Sequence, residues 1–143
     1  MSPSKIESNI LFAYDQYLVE CYTNGKMPVA PTETAKAITT RLLRILIPTN
    51  AWLHIKLDDF GIEAQITKST EHPPYALTIR TDYIDDTIYA NYYTDAENHN
   101  KETIVSKDLL DIVEFCIVTL RQYRFNFSAS KKNKSISNGK IAE

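Results

Sequence analysis

Two pairs of adjacent aspartates, Asp58-Asp59 and Asp85-Asp86, are the residues of this sequence best suited to acid–base or cation chemistry. Carboxylates held close together push each other's pKa values apart, and their oxygens are ligands that hard cations prefer. Aspartate is also a favoured turn residue, because its side chain bonds its own backbone. In an antiparallel meander both pairs fall at the same end of the sheet. The sequence therefore predicts four carboxylates at one end, with turn formation as their favoured role.

A further acidic motif, Asp95-x-Glu97-x-His99, alternates oxygen and nitrogen ligands within a polar stretch. An EF-hand loop requires a glycine at its sixth position and a bidentate glutamate at its twelfth, and neither is present. The histidines have no second histidine or cysteine at ligand spacing, and no Cys-x-x-Cys pair occurs, which excludes a thiolate zinc site. We therefore predict that the protein has no metal site.

Cofactor and nucleophile motifs are also missing from the sequence. Its three glycines, at positions 25, 61 and 139, are too far apart for a Walker loop or a Rossmann fingerprint. It contains no Gly-x-Ser-x-Gly elbow. We predict no cofactor and no catalytic residue. An enzyme would have to use His54, Arg80 and nearby tyrosine hydroxyls, and such groups need a concave pocket.

The most informative candidate binding residues lie on one side of a predicted sheet. Tryptophan and tyrosine offer a large contact area with a polar group, and arginine adds planar donors, as at binding hot spots. Aromatic residues also favour strands simply because they brace their cross-strand neighbours, and this alternative stays open. The predicted contact residues are Trp52, His54, Gln65, Arg80, Tyr89, Asn91 and Tyr93.

Four segments that alternate apolar and polar residues predict the strands that carry this surface: 52–57, 60–67, 75–82 and 87–94. The links between them are short, which predicts antiparallel neighbours in the order 1-2-3-4. A polar loop is expected over 94–103. One face of such a sheet is covered by helices, and the other stays open or pairs with something else.

Three helices are predicted around the strands. The first begins at a Ser4-x-x-Glu7 capping box and ends at Gly25. The second runs from an N-cap at Thr32 to Ile47, before Pro48, and the third covers about 106–126. The expected fold class is α+β: two N-terminal helices, a four-stranded antiparallel meander and a C-terminal helix (α-α-β-β-β-β-α).

The predicted third helix has a wider apolar arc than one contact surface requires. Leu109, Ile112, Cys116, Leu120 and Tyr123 form one stripe, which can cover the sheet. A second set, Leu110, Val113 and Ile117, points away from it. Either the first two helices bury this second set or a two-fold partner does, and we expect a homodimer interface there.

Composition and charge limit the class of protein. The 143 residues favour one domain over 1–127, and the polar, basic residues 128–143 are expected to be a disordered tail. No apolar run is long enough to span a membrane, no signal sequence is visible, and two cysteines cannot form a disulfide framework, so a cytoplasmic setting is expected.

The net charge of −2 is unevenly distributed, because residues 58–102 contain three basic and ten acidic residues, a net charge of −7. Double-stranded nucleic acid requires a basic stripe, so we exclude it as a partner, whereas an acidic body suits a protein partner. The sequence therefore favours a non-catalytic protein-binding module, adaptor or chaperone-like, acting as a small acidic homodimer. The alternative is a small-molecule or nucleotide binder that uses the open aromatic face.

Overall fold

A computed structural model describes residues 3–49, 51–67, 76–93 and 100–123. Within these residues the chain forms three helices and five strands. Their bounds are α1 Pro3–Thr23, α2 Glu33–Leu46, β1 Trp52–Leu57, β2 Gly61–Thr67, β3 Ala76–Asp82, β4 Ile88–Tyr93, β5 Asn100–Ser106 and α3 Leu109–Gln122.

The strands form one antiparallel sheet in the order β1-β2-β3-β4-β5. The predicted α+β class, the order of helices and strands and the meander connections are confirmed. The prediction of four strands is wrong by one, because residues 100–106 pair with β4 although we expected a polar loop to position 103. Pairing with β4, rather than a strong apolar alternation, makes this segment a strand. The third helix consequently begins later, at Leu109 after the N-cap Asp108.

The ends of the first two helices follow from their capping residues. Thr32 accepts a hydrogen bond from the Ala35 N–H at 3.0 Å, which confirms it as the N-cap of α2. Helix α1 spans Pro3–Thr23, so Ser4 lies within its first turn. The side chain of Ser4 lies outside what the structure describes, and the predicted capping box stays a prediction. At the other end Gly25 has φ +66°, and the Lys26 N–H bonds the Cys21 carbonyl at 2.8 Å, which closes the helix in a Schellman motif.

The three helices lie side by side over one face of the sheet. Helix α1 covers β1, α2 covers β2 and β3, and α3 covers β4 and β5, with α2 between the other two. The buried core lies between these two layers. Its largest fully buried side chains include Ile6, Leu42, Leu43, Leu46, Ile62, Ile66, Leu77, Ile88, Tyr92, Ile112 and Leu120. Among the residues that the structure describes, no helix covers the opposite face of the sheet.

The β1–β2 turn and the end of β3 are joined closely. A side chain at Gly61 would bring its Cβ within 2.5 Å of the Thr81 carbonyl oxygen, so the close approach of the two strands requires glycine. The Tyr83 N–H donates to the Phe60 carbonyl at 2.9 Å. The two acidic turns therefore lie at the same end of the sheet, as predicted. None of the helices that the structure describes has the length and apolar character to cross a membrane.

Candidate functional site

The open face of the sheet, defined here as the face without a covering helix, arranges the predicted contact residues in three successive cross-strand rows. The first contains Trp52, Thr67, Ala76 and Tyr93 by backbone register, the second His54, Gln65, Thr78, Asn91 and Thr103, and the third Lys56, Glu63, Arg80, Tyr89 and Val105. The six predicted contact residues whose side chains the structure describes thus belong to one face, as their spacing implied, whereas the side chain of Tyr93 lies outside the described part. Trp52 and His54 are exposed on β1, whereas Gln65, Arg80, Tyr89 and Asn91 are partly covered by their neighbours.

Arg80 is the centre of an ion-pair network at one end of this face. Its guanidinium donates two hydrogen bonds to Asp58, at 2.8 and 2.9 Å, in the bidentate geometry that makes such pairs strong. Its Nε donates to Asp82 at 3.2 Å, and Nη1 is 3.9 Å from Glu63. Glu63 also lies 3.7 Å from the Lys56 ammonium and accepts a hydrogen bond from Gln65 at 3.2 Å. Arg80 and Lys56 are thus surrounded by three carboxylates.

The titration behaviour of Asp58 reflects this network. Burial by itself raises the pKa of Asp58, but hydrogen bonds from Arg80 and from the Phe60 N–H, together with the charge of Arg80, outweigh burial and hold the pKa below its usual range. The hydrogen bond to Asp58 raises the pKa of Arg80. The charge of Asp82 raises the pKa of Tyr89. The positive charge of Arg80 is therefore compensated within the protein and is not free for an anionic ligand.

The histidine and the arginine on this face do not converge. His54 lies on β1 and in a different row from Arg80 and Tyr89, which lie on β3 and β4. Two strand spacings of about 4.8 Å separate β1 from β3. A base, an electrophile and a shared substrate position are thus not assembled by these three residues. The rows form an extended surface instead.

The four turn carboxylates do not form one cluster, although they share one end of the sheet. Asp58 accepts hydrogen bonds from Arg80 and from the Phe60 and Gly61 N–H groups, at 2.8 and 3.0 Å for the latter two. Asp85 accepts from the Thr87 N–H at 3.1 Å. The predicted turn-forming role is thus confirmed for Asp58 and Asp85. Over the described ranges no group of three or more His, Cys, Asp or Glu side chains is placed to hold a metal ion, and the motif at 95–99 lies outside those ranges.

Asp59 instead joins the sheet to the helical layer. Tyr17 donates a hydrogen bond to it at 2.6 Å, and Lys26 forms an ion pair with it. The Tyr17 hydroxyl also accepts from the Val29 N–H at 2.8 Å. The hydrogen bond from Lys26 lowers the pKa of Asp59 most, and the hydrogen bond from Tyr17 lowers it further. This network fixes α1 and the α1–α2 link against the β1–β2 turn. Sequence reasoning did not identify it, because Tyr17 and Asp59 are 42 residues apart.

A second surface that the sequence analysis did not single out as a site is a groove of about 770 Å³ between α1 and β1. Phe12 and Val19 of α1 line it and remain 65% and 62% exposed. Both residues lie beside the main apolar stripe of α1. Apolar residues outside the stripe that packs on the core are the feature of the sequence that could have indicated this groove.

The residues proposed from sequence for a dimer interface lie in two different settings on α3. Leu110 is exposed, and Val118, two turns further along the helix, is exposed too. Val113 and Ile117 are partly buried and pack against the core. The apolar surface that α3 leaves open is therefore centred on Leu110.

We compared the sequence and the structure with known proteins. The comparisons found no matching protein-family model, curated protein or solved structure.

Proposed function

We propose that this protein is a non-catalytic protein-binding module, of the adaptor or chaperone type, and that its contact surface is the open face of the sheet. The observation that carries the proposal is the arrangement of that face: three cross-strand rows with aromatic and polar side chains, and with the charge of Arg80 already compensated by Asp58, Asp82 and Glu63. Surfaces of this kind match partners by shape and by scattered hydrogen bonds rather than by enclosing them.

The dimensions of the face allow it to form the central part of a protein interface but not all of one. Five strands about 4.8 Å apart and about 20 Å long give a surface of about 400 Å². This is roughly half of the area of about 800 Å² that each partner contributes to a standard protein interface. Trp52, which is 58% exposed, lies at one corner and can anchor such a contact.

The alternative, a nucleotide or other small anionic ligand on the same face, has less support. A phosphate would have to displace carboxylates that already hold Arg80 in bidentate geometry. An arginine that recognises phosphate needs its donors free for the ligand. An enzymatic role also has less support, because His54 lies two strands away from Arg80 and in a different row from Arg80 and Tyr89.

We propose in addition that the module acts as a homodimer in the cytoplasm. The exposed Leu110 and Val118 give α3 an apolar outer side that a two-fold partner would cover, with Val113 and Ile117 at its margin. Cys21 and Cys116 are both buried and free, which suits a reducing compartment. Light scattering at micromolar concentration measures the mass directly. A dimer that Leu110→Asp converts to a folded monomer supports this proposal, and a monomeric wild type refutes it.

Photo-crosslinking in cells of the native host tests the main proposal. A benzophenone amino acid replaces Thr103, which is exposed in the second row of the open face, so that the predicted contact residues remain intact. The matched control carries the same amino acid in place of Arg41, which is exposed on α2 in the opposite layer. We expect one or a few discrete protein adducts from position 103 and none of these from position 41. Identical adduct patterns from both positions would refute the proposed surface.

A further inference from the structure

We propose a second binding site at the edge of the sheet: the groove between α1 and β1 binds an extended segment of a partner protein as a sixth strand, paired with the edge of β1 that faces away from β2. Strand β1 is an end strand of the sheet and pairs with β2 on one side. Adding a strand to such an edge is a recurrent way of recognising peptides, in which the main chain supplies affinity and alternate side chains supply specificity.

The pairing of β1 with β2 shows which backbone groups are available. The Asp58 N–H donates to the Gly61 carbonyl at 3.1 Å, which makes these two residues a hydrogen-bonded pair. Such pairs alternate along an antiparallel ladder, so residues 52, 54 and 56 direct their backbone groups towards β2. Leu53, Ile55 and Leu57 therefore present their N–H and C=O groups at the free edge. Their side chains point to the helical layer, with Ile55 and Leu57 buried.

The two edges of the sheet differ in how well they suit an added strand. The register between β4 and β5 shifts between Tyr92 and Tyr93, and irregularities of this kind blunt an edge against pairing. Strand β1 pairs with β2 in continuous register over all six of its residues and contains no proline. A regular edge of this length, about 20 Å, suits a segment of five to seven residues.

The helix beside this edge supplies an apolar wall for the added strand. Phe12 and Val19 are seven residues apart, so they lie on the same side of α1, about 10.5 Å apart along its axis. Alternate side chains of a strand repeat about every 6.8 Å, so two or three of them on the helical side would lie beside these residues. Both residues are more than 60% exposed in this groove, and an apolar segment would cover them.

Charge specifies the partner further. Glu20 lines the same groove and forms no ion pair with any residue that the structure describes. Lys56 and Asp58, the other charged residues of its lining, are paired with Glu63 and Arg80. The uncompensated charge of the groove is thus negative. The expected partner segment is extended, apolar at alternate positions, and carries a lysine or arginine that reaches Glu20.

A library of random decapeptides displayed on phage is the probe for this site. The purified full-length chain is the target, and selected peptides are resynthesised with a fluorescent label for anisotropy measurements. We expect sequences with apolar residues at alternate positions and a basic residue. Phe12→Asp and Val19→Asp should each weaken binding by about tenfold or more. The matched control is Leu11→Asp. Leu11 lies on the same helix and is also 65% exposed, but it lines a different groove, between α1 and α2. Its substitution should leave the affinity for the peptide unchanged.

Backbone methylation of the selected peptide distinguishes strand addition from other modes without altering the protein. Two analogues carry N-methyl groups on alternate residues, one in each phase. In an added strand only one phase points its N–H groups at β1, so one analogue should lose binding and the other should keep it. The proposal would be overturned if both analogues had equal effects, or if the affinity did not respond to Phe12→Asp and Val19→Asp. It would also be overturned if the library yielded no enriched peptide. His54 and Lys56 border both surfaces, but Thr103 belongs only to the open face and Phe12 and Val19 only to the groove. The experiments use those three positions, so each proposal can fail alone.

Discussion

Replacing Arg80 with methionine should destabilise the protein in a way that depends on pH. The substitution keeps an unbranched side chain but removes the guanidinium that holds Asp58 in bidentate geometry and also bonds Asp82. The side chains of Arg80 and Asp58 are 23% and 51% exposed, so the pair lies between the surface and buried classes. Exposed pairs contribute up to about 1 kcal/mol, whereas breaking a buried pair costs about 3–5 kcal/mol.

We therefore expect Arg80→Met to lower the free energy of unfolding by about 2 kcal/mol at pH 7. At about 4 °C per kcal/mol this corresponds to a melting temperature about 8 °C lower. The sign of the pH dependence follows from Asp58, whose pKa in the folded state lies below its usual value. The pair stabilises the fold fully above about pH 4, the ordinary aspartate pKa, and this contribution disappears as pH falls through the lower folded-state pKa.

Urea denaturation at pH 7 and at several values between 5 and 2 measures this difference, since urea does not screen charges as guanidinium chloride does. Arg41→Met is the matched control, because Arg41 is exposed and forms no ion pair within the described residues. It should change stability by less than about 0.5 kcal/mol. A loss below about 0.5 kcal/mol for Arg80→Met, or a loss that stays constant as pH falls, would contradict the assigned network.

Three further outcomes are expected from other parts of the molecule. Tyr17→Phe removes the hydrogen bonds to Asp59 and from the Val29 N–H and should destabilise by about 1–2 kcal/mol in urea, whereas Tyr22→Phe on the exposed side of α1 should have no measurable effect. Burial raises the pKa of the Cys116 thiol to about 12, so a thiol reagent should label it only after denaturation, and rapid labelling of the native protein would contradict this. Deleting residues 128–143 should shift the melting temperature by no more than about 4 °C, and a larger drop would mean that this segment packs on the fold.

Local signals in the sequence were sufficient to predict the elements that have a clear capping residue or a clear alternation of apolar and polar residues. Strand β1 occupies its predicted residues 52–57, and Thr32 caps α2 as expected. Strand β5 was missed because its apolar pair, Ile104 and Val105, is too short to show a period of two, and its partner β4 decides its conformation. An edge strand has no second neighbour that would impose a stronger pattern.

The composition of the open face was predictable, but its internal contacts were not. Alternation along each strand is enough to assign His54, Gln65 and Arg80 to the same side of the sheet. Which residues face each other depends on register, which the alternation along a single strand does not fix. The pairing of Arg80 with Asp58 therefore required the structure. Tyr17 and Asp59 meet for the same reason, since helix packing and not local sequence brings them together.

The affinity of the cross-linked partner for two matched variants tests the central claim most directly. Trp52→Ala removes an aromatic side chain of the open face that is 58% exposed. Ile45→Ala removes an apolar side chain of similar exposure, 54%, from the helical layer. If the open face is the contact surface, Trp52→Ala weakens binding by about tenfold or more and Ile45→Ala changes it by less than about twofold. Equal affinity of both variants, or a greater loss for Ile45→Ala, would contradict the account.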